Sequence, residues 1–165
     1  MKRVKAIFYV LMTALAIPFS SKSQEMLSSF SSLLSKYYEI KNSLVANDAT
    51  GAAKVAIDFA ALAKAFDVKT LPLSGQTVFK SVQGKLLADA NSIAGSKDLA
   101  KQRIAFQTLS ESVISLAKAS KPSKPAYIAY CPMKKAYWIS AEQAIKNPYY
   151  GSTMLTCGKV TETIK

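Results

Sequence analysis

Apolar residues recur at three- and four-residue steps in four successive stretches of the chain, a spacing that gathers them on one face of a helix. Polar residues fill the opposite faces, as Lys36, Glu39 and Lys41 do in the first stretch. The pattern predicts four amphipathic helices whose apolar faces form a core. The inward-facing positions, in chain order, are Met26, Phe30, Leu33, Tyr37, Ile40 and Leu44; Ala52, Val55, Ala56, Phe59, Leu62, Ala63 and Phe66; Phe79, Val82, Leu86, Ala90 and Ile93; and Leu99, Arg103, Phe106, Leu109, Val113 and Leu116.

Short polar residues and a glycine mark the helix boundaries. The Asn47-Asp48 pair is placed to cap the second helix and Ser74 the third, because such side chains accept hydrogen bonds from the free N–H groups of a first turn. Gly95 closes the third helix and Ser96 opens the fourth. The short connections favour antiparallel neighbours, so the four helices are expected to form an up-down bundle.

The helical pattern stops at residues 121–125 (KPSKP), because two prolines cannot continue a helix. Residues 126–130 (AYIAY) and 136–140 (AYWIS) then alternate and are rich in strand-forming residues. The CPMKK segment between them is typical of a hairpin turn. The sequence therefore predicts a hairpin directly after the bundle.

The remaining C-terminal residues also lack the long helical pattern of the first four segments. We expect a helical turn within residues 141–147 (AEQAIKN), a turn starting at Asn147-Pro148, and a final pair of short strands from MLTC and KVTETI. Together with the hairpin, they form a small cap at residues 126–165. The predicted fold is mainly α (α+β): a single domain with an up-down four-helix bundle at 24–120 followed by this cap.

The first residues of the chain have the layout of a secretory signal. Basic residues precede the apolar run Ala6–Ile17, and Ser21 and Ser23 are small residues at the positions before a cleavage site. The run is shorter than the roughly 20 residues that span a bilayer. We therefore expect a signal peptide at residues 1–23, a periplasmic or secreted protein, and no stable membrane insertion after the signal is removed.

Charge and composition exclude several functions. The chain carries 22 basic and 10 acidic residues, but the arginine content outside the predicted signal is one residue, Arg103, and the lysines are scattered. Nucleic-acid-binding surfaces instead concentrate arginines and stacking aromatics on one stripe. The absence of histidine removes histidine-dependent nucleophilic catalysis and the commonest zinc ligand. The sequence predicts a protein that is not an enzyme and does not bind nucleic acid.

Without histidine, any chemistry must use sulfur, carboxylate, lysine or tyrosine. Sulfur is the candidate that the sequence favours, since each of the two cysteines stands near a methionine, in CPM and in MLTCG. Cys131 and Cys157 could form a disulfide, as an exported protein with an even number of cysteines often does. Cys131, Met133, Met154 and Cys157 could instead bind a soft metal, copper(I) or silver(I), through two thiolates and two thioethers. In a third interpretation, both cysteines are reduced and buried as small apolar residues.

The order of CPM, AYWIS and IKNPYYGSTMLTCGKVTETI resembles the C-terminal signature of a secreted bacterial domain-of-unknown-function (DUF) family, and DLAKQRIAFQTLSESVISLAKA resembles its last bundle helix. Such domains also occur as the C-terminal tail of periplasmic adaptor subunits of copper and silver efflux systems. The resemblance implies a role in metal handling, with efflux components or another envelope protein as partners. The chain departs from the family pattern at Tyr130, where members often carry histidine, and in its short loop after CPM.

Aromatic residues of the cap allow two interpretations. Tyr130, Trp138 and Tyr149 could present a surface to a partner, or they could cover the bundle, and burial is favoured for Trp138 and Tyr149.

Two hypotheses follow for the whole protein. One is a non-enzymatic accessory that binds soft metal in its cap; the other is a structural interaction domain, closed by a Cys131–Cys157 disulfide, that docks on an envelope partner.

Overall fold

A computed structural model describes the backbone of residues 21–165 and the side chains of residues 30–165. Its helices are α1 (Ser21–Val45), α2 (Ala49–Lys64), α3 (Leu73–Ala94) and α4 (Leu99–Ser120). Its strands are β1 (Ala126–Cys131), β2 (Ala136–Ser140) and β3 (Lys159–Ile164), and short 3-10 helices cover Val68–Thr70 and Gly151–Met154. This arrangement confirms the predicted four-helix bundle with a small β cap.

The helix starts follow capping chemistry at two of the three described boundaries. The Asp48 side chain accepts a hydrogen bond from the Gly51 N–H at 2.8 Å. The Asp98 side chain likewise accepts from the Ala100 N–H at 2.8 Å, so both satisfy an N–H group of a first turn. The predicted Ser74 cap is wrong. Helix α3 already begins at Leu73, after Pro72, and the Ser74 hydroxyl donates instead to the Ala119 carbonyl (2.8 Å), which ties α3 to the end of α4.

Consecutive helices pack against each other, α1 on α2, α2 on α3 and α3 on α4, so that one continuous core runs through the bundle. The first and last helices meet at Tyr37, whose ring stacks on Phe106 at a centroid distance of 5.2 Å. The Tyr37 hydroxyl lies 2.7 Å from Ser110 Oγ. Because both residues are buried, this pair satisfies two hydroxyl groups inside the core.

The cap contains a three-stranded antiparallel sheet with the order β2-β1-β3. The hairpin is confirmed, with Cys131 at the end of β1 opposite Ala136 at the start of β2. Two finer predictions are wrong. Residues 141–144 form bends rather than a helical turn, and MLTC is not a strand, because the Cys157 N–H bonds back to the Met154 carbonyl (3.1 Å) in a turn.

Strand β2 lies along the side of the bundle, against α4 and the seam between α1 and α4. The Ile139 N–H donates to the Tyr37 hydroxyl (3.3 Å), and Lys41 Nζ donates to Ser140 Oγ (3.1 Å). The sequence pattern put Lys41 on the polar face of its helix, but its side chain is buried beneath the cap. The cap therefore covers a face of α1 that would be polar in an isolated bundle.

Burial of Lys41 predicts a measurable dependence of stability on pH. Burial lowers the pKa of Lys41, Glu142 partly offsets this, and Lys146 lowers the pKa further. Below the ordinary lysine pKa of about 10.4 the unfolded chain therefore holds this proton more tightly than the folded one, so the contribution of Lys41 to stability rises with pH. Lys41→Met should raise the free energy of unfolding near neutral pH by about 1 kcal/mol, because an apolar side chain fits the buried site without a charge to desolvate.

The measurement is urea unfolding of both proteins near pH 7 and near pH 10. The advantage of Lys41→Met should shrink at the higher pH, because the wild-type lysine then loses its charge. Lys54→Met is the matched control on an exposed helix position. There the change in stability should stay within about 0.5 kcal/mol. A Lys41→Met protein that is less stable than wild type at both pH values would contradict the assigned cost of burying this charge.

None of the helices that the structure describes is both long and apolar enough to cross a membrane. Residues 1–20 of the predicted signal peptide lie outside the described part of the chain, as does the Met26 side chain, so those assignments stay predictions.

Candidate functional site

The first half of the candidate site is the hairpin turn that follows Cys131. This residue ends strand β1, and its side chain is buried between the sheet and the rest of the cap. The Lys134 N–H donates to Cys131 Sγ at 3.4 Å, and the Met133 N–H also interacts with this sulfur. The turn can do this because Lys135, with φ at 54°, brings the chain back into β2. That backbone conformation is left-handed and uncommon outside turns.

The second half is the long connection from β2 to β3. It passes through Asn147, the 3-10 helix Gly151–Met154 and a turn that ends at Cys157 and Gly158. The turn brings Cys157 Sγ to 3.3 Å from Cys131 Sγ, and both cysteines are free thiols. The sulfurs are in contact but not bonded, since a covalent S–S bond is much shorter. Two residues far apart in sequence thus become one thiol pair.

The two thiols ionise differently. Burial acts to raise the pKa of Cys131, but it is outweighed by hydrogen bonds from the Lys134 N–H and the Cys157 thiol. The Asn147 amide and the Met133 N–H add to this effect, so the pKa of Cys131 is lowered. The hydrogen bond to Cys131 raises the pKa of Cys157. The pair therefore releases its first proton more easily than an ordinary thiol, and Cys131 carries most of the resulting charge.

Asn147 holds the second half of the site in place. Its side chain is fully buried; its amide nitrogen donates to the Cys157 carbonyl (2.7 Å), and its amide oxygen accepts from the Tyr149 N–H (2.8 Å). Its backbone N–H donates to the Leu155 carbonyl (2.8 Å), and its carbonyl accepts from Gly151 (3.0 Å). Asn147 therefore bonds the backbone of its own turn, and its bond to the Cys157 carbonyl holds the backbone of Cys157 in place.

A second set of hydrogen bonds holds the connection between β2 and β3 against the bundle. Arg103 of α4 donates to the Pro148 carbonyl (2.9 Å), to the Leu44 carbonyl at the end of α1 (3.1 Å), and to Asn47 Oδ1 (2.6 Å). Gly151 packs against this cluster with φ at +56°. The planar guanidinium reaches several acceptors at once, which a lysine cannot do. Arg103 therefore positions the connection that carries Cys157.

Trp138 and Tyr149 form an aromatic layer next to the thiols. Their side chains are 1% and 4% exposed, with their rings edge-on at 6.0 Å. Gly158 lies so close to the indole that an added Cβ would approach Trp138 Cη2 to 2.8 Å. The interpretation that these two aromatics are buried is confirmed, which removes both from the predicted partner surface. Tyr130 is partly exposed, and its ring lies tilted against that of exposed Tyr137 at a centroid distance of 4.6 Å.

The two methionines are both more exposed than Cys131. The Met133 side chain is 65% exposed, directly after the proline of the turn, and Met154 is half-buried. Within residues 30–165, no three His, Cys, Asp or Glu side chains are grouped so that they could hold a metal ion. A metal at the thiol pair would therefore need thioethers, or groups from another molecule, as further ligands.

The sequence pattern identifies the cysteines but not the residues that position them. Periodicity places Arg103 on the apolar face of its helix, and an arginine on such a face is itself a signal that the guanidinium has buried partners. Asn47 is predicted as a capping residue, but it also donates to Ser152 (3.0 Å) across the bundle–cap boundary. No local pattern indicates that contact, because it joins residues more than a hundred positions apart.

Comparison with known proteins identifies a sequence family. The sequence model of the family described as "Protein of unknown function (DUF3347)" matches residues 33–125, which is more than half of the chain and covers most of the bundle up to β1. No curated protein and no solved structure matches the chain. The predicted membership of a domain-of-unknown-function family is confirmed, and the chain belongs to the DUF3347 family.

Proposed function

We propose that the cap binds a soft monovalent metal, copper(I) or silver(I), through Cys131 and Cys157, as an exported accessory of heavy-metal efflux or homeostasis. The observation that carries this proposal is the 3.3 Å separation of the two thiols, one of which receives N–H donors that favour the thiolate. Thiolate is the form that ligates metal, and paired thiolates select soft ions such as copper(I) over magnesium or calcium.

The distance between the two sulfurs is close to that of two thiolates bound to one metal ion. With metal–sulfur bonds of about 2.3 Å, two thiolates on one ion lie about 3.8 Å apart at a tetrahedral angle and further apart at wider angles. The sulfurs need to separate by only a fraction of an ångström from 3.3 Å to reach the shorter value. Cys157 stands in a turn and is partly exposed, so it is the partner that can move.

The surroundings of the pair suit such an ion. Met133 places a thioether two residues from Cys131, at the surface, and Met154 offers a second one three residues before Cys157. Two thiolates with one monovalent cation leave one negative charge, which the neighbouring Lys134 and Lys135 offset. These features support a site that opens towards solvent and accepts metal from outside the protein.

The test is an anaerobic titration of the fully reduced protein with copper(I) in competition with a chromophoric chelator. We expect one equivalent to bind, and Cys131→Ser or Cys157→Ser to weaken binding by about a hundredfold or more, because each removes a thiolate ligand. Met133→Leu, which keeps the shape and removes only the sulfur, should have a smaller effect. A reduced wild-type protein without stoichiometric binding would overturn the proposal.

The second candidate is a structural interaction domain, closed by a Cys131–Cys157 disulfide, that docks on an envelope partner. It is favoured by the same short sulfur–sulfur distance and by the exposed Tyr137 and Leu155 beside the site. A bridge across this span would stabilise the domain by about 3 kcal/mol in the loop-entropy account. Protein recovered from its native compartment without free thiols, and a Cys131→Ser variant that changes only the melting temperature, would favour this candidate over metal binding.

A further inference from the structure

The two thiols of the pair differ in their access to solvent. Cys131 is 0% exposed, whereas Cys157 is a partly exposed residue at the end of its turn. A disulfide-bearing molecule in solution can therefore reach Cys157 more easily than the buried Cys131. Thiol–disulfide exchange depends on access as well as on thiolate character. Because of this difference in exposure, we expect Cys157 to react before Cys131.

The position of Cys131 suits it to the second step of such a reaction. Its sulfur lies 3.3 Å from Cys157 Sγ, next to the sulfur that this step would attack. The Lys134 N–H at 3.4 Å holds Cys131 Sγ in this position. A nucleophile kept next to its target reacts far faster than one that must diffuse to it.

We propose that the cap carries out thiol–disulfide exchange in a fixed order, with Cys157 as the entry thiol and Cys131 as the resolving thiol. The co-reactant is an organic disulfide, RS–SR, of the kind present in oxidising compartments. This activity goes beyond the proposed metal binding and does not require it, since it involves only the two thiols and the disulfide.

The first step forms a mixed disulfide. The Cys157 thiol loses its proton to the solvent, and its sulfur attacks one sulfur of RS–SR, so that a Cys157–SR bond forms, the RS–SR bond breaks and RS⁻ leaves. In the second step, Cys131 passes its proton to the solvent or to the leaving thiolate and attacks Cys157 Sγ. The Cys131–Cys157 bond forms and a second RS⁻ leaves. The protein is oxidised by two electrons, and one disulfide is reduced to two thiols.

The same two sulfurs cannot ligate metal and form a bridge at the same time. Exchange with the surrounding disulfide pool would therefore set the fraction of protein that is competent to bind copper(I). A failure of metal binding would leave the exchange order intact, and a failure of the exchange order would leave metal binding intact. Metal titration and exchange are measured separately.

The experiment mixes the reduced full chain with oxidised glutathione in the presence of a metal chelator and follows intact mass and free thiols over time. Wild type should lose both thiols without accumulating a glutathione adduct. Cys131→Ser should accumulate an adduct on Cys157. Cys157→Ser should react at least about tenfold more slowly than Cys131→Ser, because its remaining thiol is buried.

Equal adduct formation in the two serine variants would overturn the order, and so would a persistent adduct in wild type. The wild-type result needs no variant, so it keeps the proposal testable if a serine at the buried position disturbs folding. Cys131→Ala provides a second resolving-thiol variant without a buried hydroxyl. Urea unfolding of the three variants would show whether each is folded before its exchange rate is compared.

Discussion

Replacing Gly151 by alanine is expected to lower the free energy of unfolding by about 2–3 kcal/mol, equivalent to a fall in melting temperature of about 5–10 °C. The residue has φ at +56°, a left-handed conformation that costs energy for any side chain with a Cβ. The new Cβ would also overlap Asn47 Oδ1 and approach Arg103 Nη2 to 2.8 Å. Arg103 cannot move aside without weakening its bonds to Pro148 and Leu44.

The measurement is urea unfolding followed by circular dichroism. Gly84→Ala is the matched control, because Gly84 stands at an exposed position inside α3 and an added Cβ meets nothing within 4 Å. That substitution should stabilise the protein by about 0.5–1 kcal/mol, the usual difference between glycine and alanine in a helix. The same chemical change thus has opposite signs at the two positions. Equal effects would show that the Arg103 cluster does not hold the cap.

Changing Asn147 to aspartate is expected to destabilise the protein by about 3 kcal/mol and to raise the pKa of Cys131. Aspartate keeps the oxygen that accepts from Tyr149 but loses the N–H that donates to the Cys157 carbonyl at 2.7 Å. A carboxylate oxygen would instead face that carbonyl in a buried site. Because Cys131 would lose an amide donor and gain a nearby negative charge, its thiolate would be disfavoured.

Two readouts separate the effects of this substitution. Unfolding in urea gives the stability change, and the ultraviolet absorbance of the thiolate against pH gives the first ionisation of the thiol pair, which should move to higher pH in the folded variant. Asn42→Asp is the control at an exposed position on α1. Its stability should change by about 0.5 kcal/mol or less, and its thiol titration not at all. An unchanged thiol titration in Asn147→Asp would remove Asn147 from the site.

The bundle was predictable from sequence because its signal is local and repeated. Residues such as Leu33, Phe59, Leu86 and Leu109 recur at helical spacing, and each is buried in the structure. The hairpin was predictable for the same reason, since alternation and a turn segment lie side by side. The strand predicted for MLTC was wrong because its apolar and β-branched residues favour a strand, whereas backbone bonds within the connection close it into a turn.

The sequence by itself determined the four amphipathic helices and the hairpin, and it pointed to the two cysteines as candidate chemistry. Only the tertiary structure decided that Cys131 and Cys157 touch, and that Cys131 is buried while Cys157 is partly exposed. It also showed that Asn147 and Arg103 hold the connection that carries Cys157 in place. The reason is physical: periodicity encodes which face of a helix or strand is buried. The contact between the turn after Cys131 and the turn that ends at Cys157 depends on how the cap packs between α1 and α4. No local pattern specifies that packing.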